Sequence, residues 1–173
     1  MAMSLNSKYK KIIKILKAGG VGVMPTDTLY GLVGSAFSKK AIKRIYKLKR
    51  RNKKKKLIVL ISDLKDFKKF KIKINKEQAK ILEKFWPGKV SIILSGTAFR
   101  MPENERLIEI LKKTGPLIAP SANPEGLKPA ENIMQAKRYF GDQVDFYLNG
   151  RRSKNKPSKL VKIKGDKIVV LRK

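Results

Sequence analysis

Apolar residues at Tyr9, Ile12, Ile13 and Leu16 recur at three- and four-residue spacing, and Gly19-Gly20 follow as a stop, which predicts an amphipathic helix near the start of the chain. "VGVM" then reads as a short buried strand that Pro25 ends. Ser38 is a candidate N-cap for a helix over residues 39 to 49, with Ile42, Ile45, Tyr46 and Leu48 on its apolar side. The run "KRRNKKKK" breaks that period and reads as an exposed loop. "LIVLI" at 57–61 has the length and β-branched content of a core strand. A helix is predicted over 76–85, ending at "WPG", and "VSIIL" at 90–94 as another buried strand. Pro102 opens a predicted helix over 103–113, with Leu107, Ile108 and Leu111 inward, and Gly115-Pro116 stop it. "PLIAP" at 116–120 is a short strand, "SANPEGLKPA" a loop, and 132–139 a helix. "VDFYL", "KLVKI" and "KIVVL" read as strands, the last two joined by a Gly165-Asp166 turn.

Strands alternating with helices predict an α/β fold, and the terminal hairpin predicts a mixed sheet. The 173 residues are expected to form a single domain, 1–173, without internal repeats. Hydrophobic content of 42% is too high for a disordered chain.

Charge changes the picture most. Lysine and arginine number 43 against 13 acids, a formal net charge of +30. Most of these cations have no partner inside the molecule. Lysine-rich composition fills solvated faces, and a field of this size also attracts polyanions, nucleic acid above all. The chain has no cysteine and no histidine, which excludes disulfides, thiolate nucleophiles, Cys/His zinc sites and Ser-His-Asp chemistry. No apolar run is long enough to span a bilayer, and lysines interrupt the apolar positions of "KYKKIIKILKAGG". A cytoplasmic protein with no membrane partner is expected.

Neither G-x-x-x-x-G-K-[ST] nor G-x-G-x-x-G occurs, so a phosphate site must be built otherwise. Three loops are candidates. "MPTDTLYGL" at 24–32 contains no lysine or arginine and places Thr26, Asp27 and Thr28 directly after a strand, where open α/β sheets bind ligands. Periodicity alone favours a turn, with Pro25 fixing φ and Thr26 or Asp27 capping the next element. "LKRRNKKKK" at 48–56 is a solvated charge run, or a loop in which Lys49 and Arg51, at alternate positions, point together at a phosphate. In "APSANPEG" at 119–126, Ser121 and Asn123 lie two apart. They are either ordinary turn residues or a hydroxyl and an amide aimed to one side.

The ordered set "GGVGVMPTDTLYGL", "IYKLKRR", "LIVLI", "FWPGKVSIIL", "RMP", "PLIAPSANPEG" and "PSKLVKI" resembles the YrdC/TsaC family of threonylcarbamoyl-AMP synthases, in its short form ending at Lys173. The resemblance implies a YrdC-like (YrdC/RibB) twisted mixed β-sheet with flanking helices and a concave basic face. It implies that L-threonine, bicarbonate or CO2, and ATP give threonylcarbamoyl-AMP and pyrophosphate. The product would serve N6-threonylcarbamoyladenosine at position 37 of tRNA, through downstream threonylcarbamoyl-transfer proteins. It makes Lys49, Arg51, Ser121 and Asn123 the catalytic, ATP-binding set, with Lys55 and Arg172 as further nucleotide contacts. Thr28, Arg100 and Ser158 would hold threonine, Arg100 by its carboxylate. Mg2+ is expected to ride mainly on the ATP phosphates. Departures from the family are Asn52 where proline is usual, Leu60 where many members have histidine, Ser91 in place of threonine, and a more basic 150–157 loop. The alternative is an RNA-binding module, for tRNA or other RNA, on the same fold with a degenerate small-molecule site.

Overall fold

A computed structural model of the chain describes residues 6–153, 156–164 and 167–173. The predicted Gly165-Asp166 turn lies outside the described residues. Among the described residues five α-helices, α1 (Ser7–Lys17), α2 (Lys39–Lys49), α3 (Lys76–Glu83), α4 (Glu105–Thr114) and α5 (Ile133–Phe140), flank one sheet. Its strands are β1 (Val21–Pro25), β2 (Tyr30–Ser35), β3 (Ile58–Leu60), β4 (Val90–Leu94), β5 (Thr97–Arg100), β6 (Leu117–Ile118), β7 (Phe146–Tyr147), β8 (Lys159–Lys164) and β9 (Lys167–Arg172). They run in the order β7-β1-β2-β6-β3-β5-β4-β8-β9. Parallel pairs β1–β7, β3–β5 and β4–β8 alternate with antiparallel ones, so the sheet is mixed as expected.

Every helix starts on a side-chain cap: Asn6, Ser38, Asn75, Asn104 and Asn132 each accept a first-turn amide. The Asn104 cap accepts from Leu107 N and sets the start of α4 at Glu105, later than the predicted 103. Successive strand residues point to opposite faces. Val59 therefore joins a core with Ile45 and Leu48 of α2, Leu82 of α3 and Phe140 of α5. Leu60, beside it, joins the opposite core with Leu16 of α1 and Leu107 and Leu111 of α4. Each such fully buried aliphatic side chain stabilises the fold by roughly 1.5–3 kcal/mol. Leu60 is wholly buried there, which suits an apolar side chain.

Two strands were not predicted, and both carry the site. β2 pairs tightly with β1, Met24 opposite Gly31 and Pro25 opposite Tyr30, so residues 26–29 form the turn of a hairpin. Its glycines disguise it as loop. A Cβ on Gly34 would come within 3.1 Å of Ala41 and Ile45, so glycine lets α2 approach β2 closely. β5 follows β4 through Ser95 and Gly96, both at positive φ (48° and 77°), the geometry of a two-residue hairpin turn. That turn delivers Arg100 to the sheet interior. No helix among the described residues is long and apolar enough to cross a membrane.

Candidate active site

A cavity of about 300 Å³ opens where the 26–30 turn, the segment after α2, the end of β6, the 157–160 segment and β9 meet. Thr28, Arg51, Arg100, Ser121, Ser158 and Arg172 all line it, with Thr26 and Lys56. Six of the nine residues expected at the site are thus brought together. The other three are not on its wall.

Lys49 is the first of these. It falls on the helix face of Ala41, Ile45 and Leu48 and is 2% exposed. Its Nζ donates to Ser121 O at 2.6 Å, Asn123 O at 2.8 Å and Asn123 Oδ1 at 3.2 Å, with Ser121 Oγ at 3.5 Å. The Lys49 carbonyl in turn accepts from Glu125 N at 2.7 Å. Burial, and then the charge of Arg51, push the ammonium down to about 8, with Glu125 opposing. An ammonium has three protons to give, and protein oxygens occupy them. Asn123 is likewise engaged: Nδ2 donates to Leu127 O at 2.6 Å and Pro124 O at 3.0 Å. Lys49 and Asn123 thus gather on Ser121, behind the cavity wall that Arg51 and Ser121 line. They fasten the 121–125 loop to the end of α2, and Ser121 faces the cavity.

Arg51 leaves α2 on the other course because Arg50 turns left-handed (φ 49°) and ends the helix. Its Nη2 donates to Lys56 O at 3.3 Å, and its Nε is buried without a hydrogen-bond partner. Lys55 points outward and pairs with Glu125 at 2.7 Å, outside the cavity wall. Asn52, in place of proline, closes the intervening turn by accepting from Lys54 N at 2.9 Å.

Deep in the cavity the geometry is denser. Arg100 Nη1 donates to Thr28 Oγ1 at 3.0 Å, and Nη2 lies 3.0 Å from Asp27 Oδ1. Both charged side chains are nearly sealed from solvent, 4% and 2% exposed. Burial lowers Arg100 and raises Asp27, and each opposes the other's shift. Arg100 thus lies against Asp27 on the cavity wall, while its Nε and both Asp27 oxygens have no hydrogen-bond partner. On the far wall Arg172 donates through Nε and Nη2 to Ser158 O at 3.0 and 2.7 Å. The Ser158 hydroxyl shares a hydrogen bond with the Ser91 hydroxyl at 2.8 Å.

Residues 14–173 match the family model Sua5/YciO/YrdC, described as telomere recombination. The chain belongs to this family. The threonylcarbamoyl-AMP synthase of Hahella chejuensis is 29% identical over 167 residues, covering 87% of this chain and 91% of its own. The structure of P. abyssi Sua5 complexed with L-threonine superposes with a TM-score of 0.86 at 24% identity. It covers 95% of this chain and 53% of that one, so this chain spans about half that protein's length. E. coli YciO superposes with a TM-score of 0.84 at 22% identity, covering 96% and 88%. Both superpositions establish the fold.

For this member of the Sua5/YciO/YrdC family, sequence reasoning missed Asp27 as the counter-charge of Arg100. A lone acid in a stretch without lysine or arginine was the available signal. It also missed the ties that close the turn: Ser153 Oγ donates to Thr28 O at 2.7 Å, and Gly150 N to Tyr30 Oη at 3.0 Å. Residues 154 and 155 of the basic 150–157 loop lie outside the described residues.

Proposed function

We propose that this chain is an L-threonylcarbamoyladenylate synthase, a nucleotidyltransferase taking L-threonine, bicarbonate or CO2, and ATP. The observation that carries this reading is one cavity lined both by cations, Arg51, Lys56 and Arg172, and by the hydroxyls of Thr28, Ser121 and Ser158. The threonine amine attacks CO2 to give a carbamate. A carbamate oxygen then attacks the α-phosphorus of ATP, and pyrophosphate leaves. Such a transfer asks the protein for positioning and charge neutralisation, which needs neither histidine nor cysteine.

Arg51 and Arg172 neutralise phosphate oxygens, the former with free guanidinium donors beyond its bond to Lys56. Ser121 orients the same oxygens, held by the Lys49–Asn123 clamp behind it. Thr28 and Ser158 supply the threonine end. Mg2+ enters on the ATP phosphates, the usual way a triphosphate carries it. Exposed Lys53, Lys54 and Lys55 beside the cavity suit a tRNA backbone, a partner consistent with a product used in tRNA modification by downstream transfer proteins. The synthase reading is favoured over an RNA-binding module with a degenerate site, because the hydroxyls and cations that such degeneration would lose are still assembled.

Mass detection of threonylcarbamoyl-AMP from the purified chain with all three substrates, against controls omitting each, tests the reading. Product requiring each substrate is expected. Its absence under every condition overturns the assignment.

A further inference from the structure

The two ends of the sheet are finished differently. At one end β7 has only two residues, and its Tyr147 hydroxyl is tied back to Gly141 O at 2.7 Å. At the other, β9 is hydrogen-bonded to β8 on one side and forms the edge of the sheet with its other side. Ile168, Val169, Val170 and Leu171 of β9 are consecutive, and each is between 38% and 53% exposed. They make up four of the seven large apolar side chains exposed among the described residues, so the apolar surface is concentrated on this strand. Because successive strand residues point to opposite faces, both faces of β9 are apolar and open. Edge strands are ordinarily guarded by lysine, by proline or by a bulge, since their free N–H and C=O groups template further pairing. Here a chain with 43 basic residues places none of them between 168 and 171. The register shift of the β8–β9 ladder lies between Leu160 and Val161, toward the Arg172 end, and leaves the apolar run regular.

We propose that the free edge of β9 is a docking site for an extended segment of a partner protein, apolar in its middle and acidic at its ends. The edge offers backbone donors and acceptors at strand spacing, which another polypeptide backbone matches. Charge selects the partner. Lys167 precedes the apolar run, Arg172 and Lys173 follow it, and exposed Lys159 and Lys162 lie on the adjoining β8. A second copy fits poorly. Antiparallel pairing of β9 with itself about 169–170 puts position 167 opposite 172, cation against cation, between two chains of net charge +30. RNA fits poorly as well, because single strands stack on aromatic rings and neither β8 nor β9 contains one. Arg172, at the end of the strand, also lines the cavity, so a docked segment runs up to the cavity wall.

The test measures binding of labelled synthetic peptides to the full chain by fluorescence anisotropy, with no substrate present, so its outcome is independent of the synthase reading. The probe alternates valine and threonine and carries glutamates at both ends. A proline-interrupted copy keeps the charge but cannot extend a sheet, and a lysine-ended copy keeps the pattern but reverses the charge. Both copies are expected to bind about tenfold or more weakly than the probe. Equal affinity for either copy overturns the proposal. Leu171→Glu, at an exposed side chain of the edge, is expected to weaken the probe to the same degree, while Met134→Glu, at an exposed side chain of α5, leaves it unchanged. Equal effects of the two substitutions overturn the assignment to β9. If Leu171→Glu does not fold, amide hydrogen exchange of the parent chain decides. Slower exchange confined to β9 is expected with the probe, and β9 amides indifferent to it overturn the docking site. A parent chain that sediments as a dimer with β9 protected, or a tRNA that protects β9 in the probe's place, overturns the choice of partner in favour of a second copy or of nucleic acid.

Discussion

Lys49→Met removes the buried ammonium while keeping an unbranched side chain of similar reach. Ser121 O retains a second donor in the Asn123 amide at 3.0 Å, but Asn123 O and Oδ1 lose the one that Lys49 gave them. Two buried acceptors left without a donor cost about 1–3 kcal/mol each, or roughly 2–6 together. Against this, the parent protein carries the cost of burying the charge. A fall from 10.5 to about 8 corresponds to about 3 kcal/mol, which methionine relieves. The net effect lies between a gain of about 1 and a loss of about 3 kcal/mol, a drop in Tm of no more than about 12 °C for a chain of this size. Activity is expected to behave differently. With the clamp gone, the 121–125 loop no longer fixes Ser121, and misplacement by an ångström costs about 100-fold in rate. The assay pairs thermal unfolding by circular dichroism with threonine- and bicarbonate-dependent pyrophosphate release. A folded variant with turnover within a few-fold of the parent refutes the clamp.

Two further outcomes follow from the same charges. Because Lys49 titrates near 8, raising the pH through that value leaves a neutral amine with two protons among its oxygens, so kcat should fall on the alkaline side. The native state releases this proton before the unfolded chain does, so between about 8 and 10.5 the group's contribution to stability rises with pH, and Tm should not follow the loss of kcat through it. A pH–rate profile flat across that window contradicts the assignment. For tRNA, a chain of net charge +30 should lose affinity steeply with salt, by orders of magnitude between about 50 and 200 mM, because counterion release dominates. A filter-binding constant indifferent to salt refutes the electrostatic account.

The sequence revealed the elements whose period was clean. α2, β4 and the β8 and β9 strands follow from apolar spacing alone, and the mixed sheet from the terminal hairpin. β2 was hidden because Gly31 and Gly34 serve close packing there, and glycine ordinarily signals a loop. β5 was hidden because its four residues follow a two-residue turn too closely to show alternation. At the site, residue types were legible and their states were not. Lys49 sits at helical spacing from Ala41 and Ile45, so its period already placed it inside, yet its charge reads as a ligand contact. Asp27 looked like a turn residue because its partner Arg100 comes from β5, far along the chain, and the neighbouring Thr28–Arg100 bond spans 72 residues.

That distinction between committed and available charge explains how so basic a chain can admit a zwitterion. At the floor, Arg100 is cancelled by Asp27, and at the loop Lys49 is enclosed by carbonyls, so neither repels an ammonium group strongly. Arg51 and Arg172 differ. Burial lowers Arg172, and the charge of Arg51 lowers it further, which places the two guanidiniums near enough to repel each other. A polyphosphate between them relieves that repulsion and supplies acceptors to the unpartnered Arg51 Nε. Positive charge without a carboxylate partner therefore lies on the Arg51 and Arg172 side of the cavity, while on the Thr28 side Arg100 is offset by Asp27.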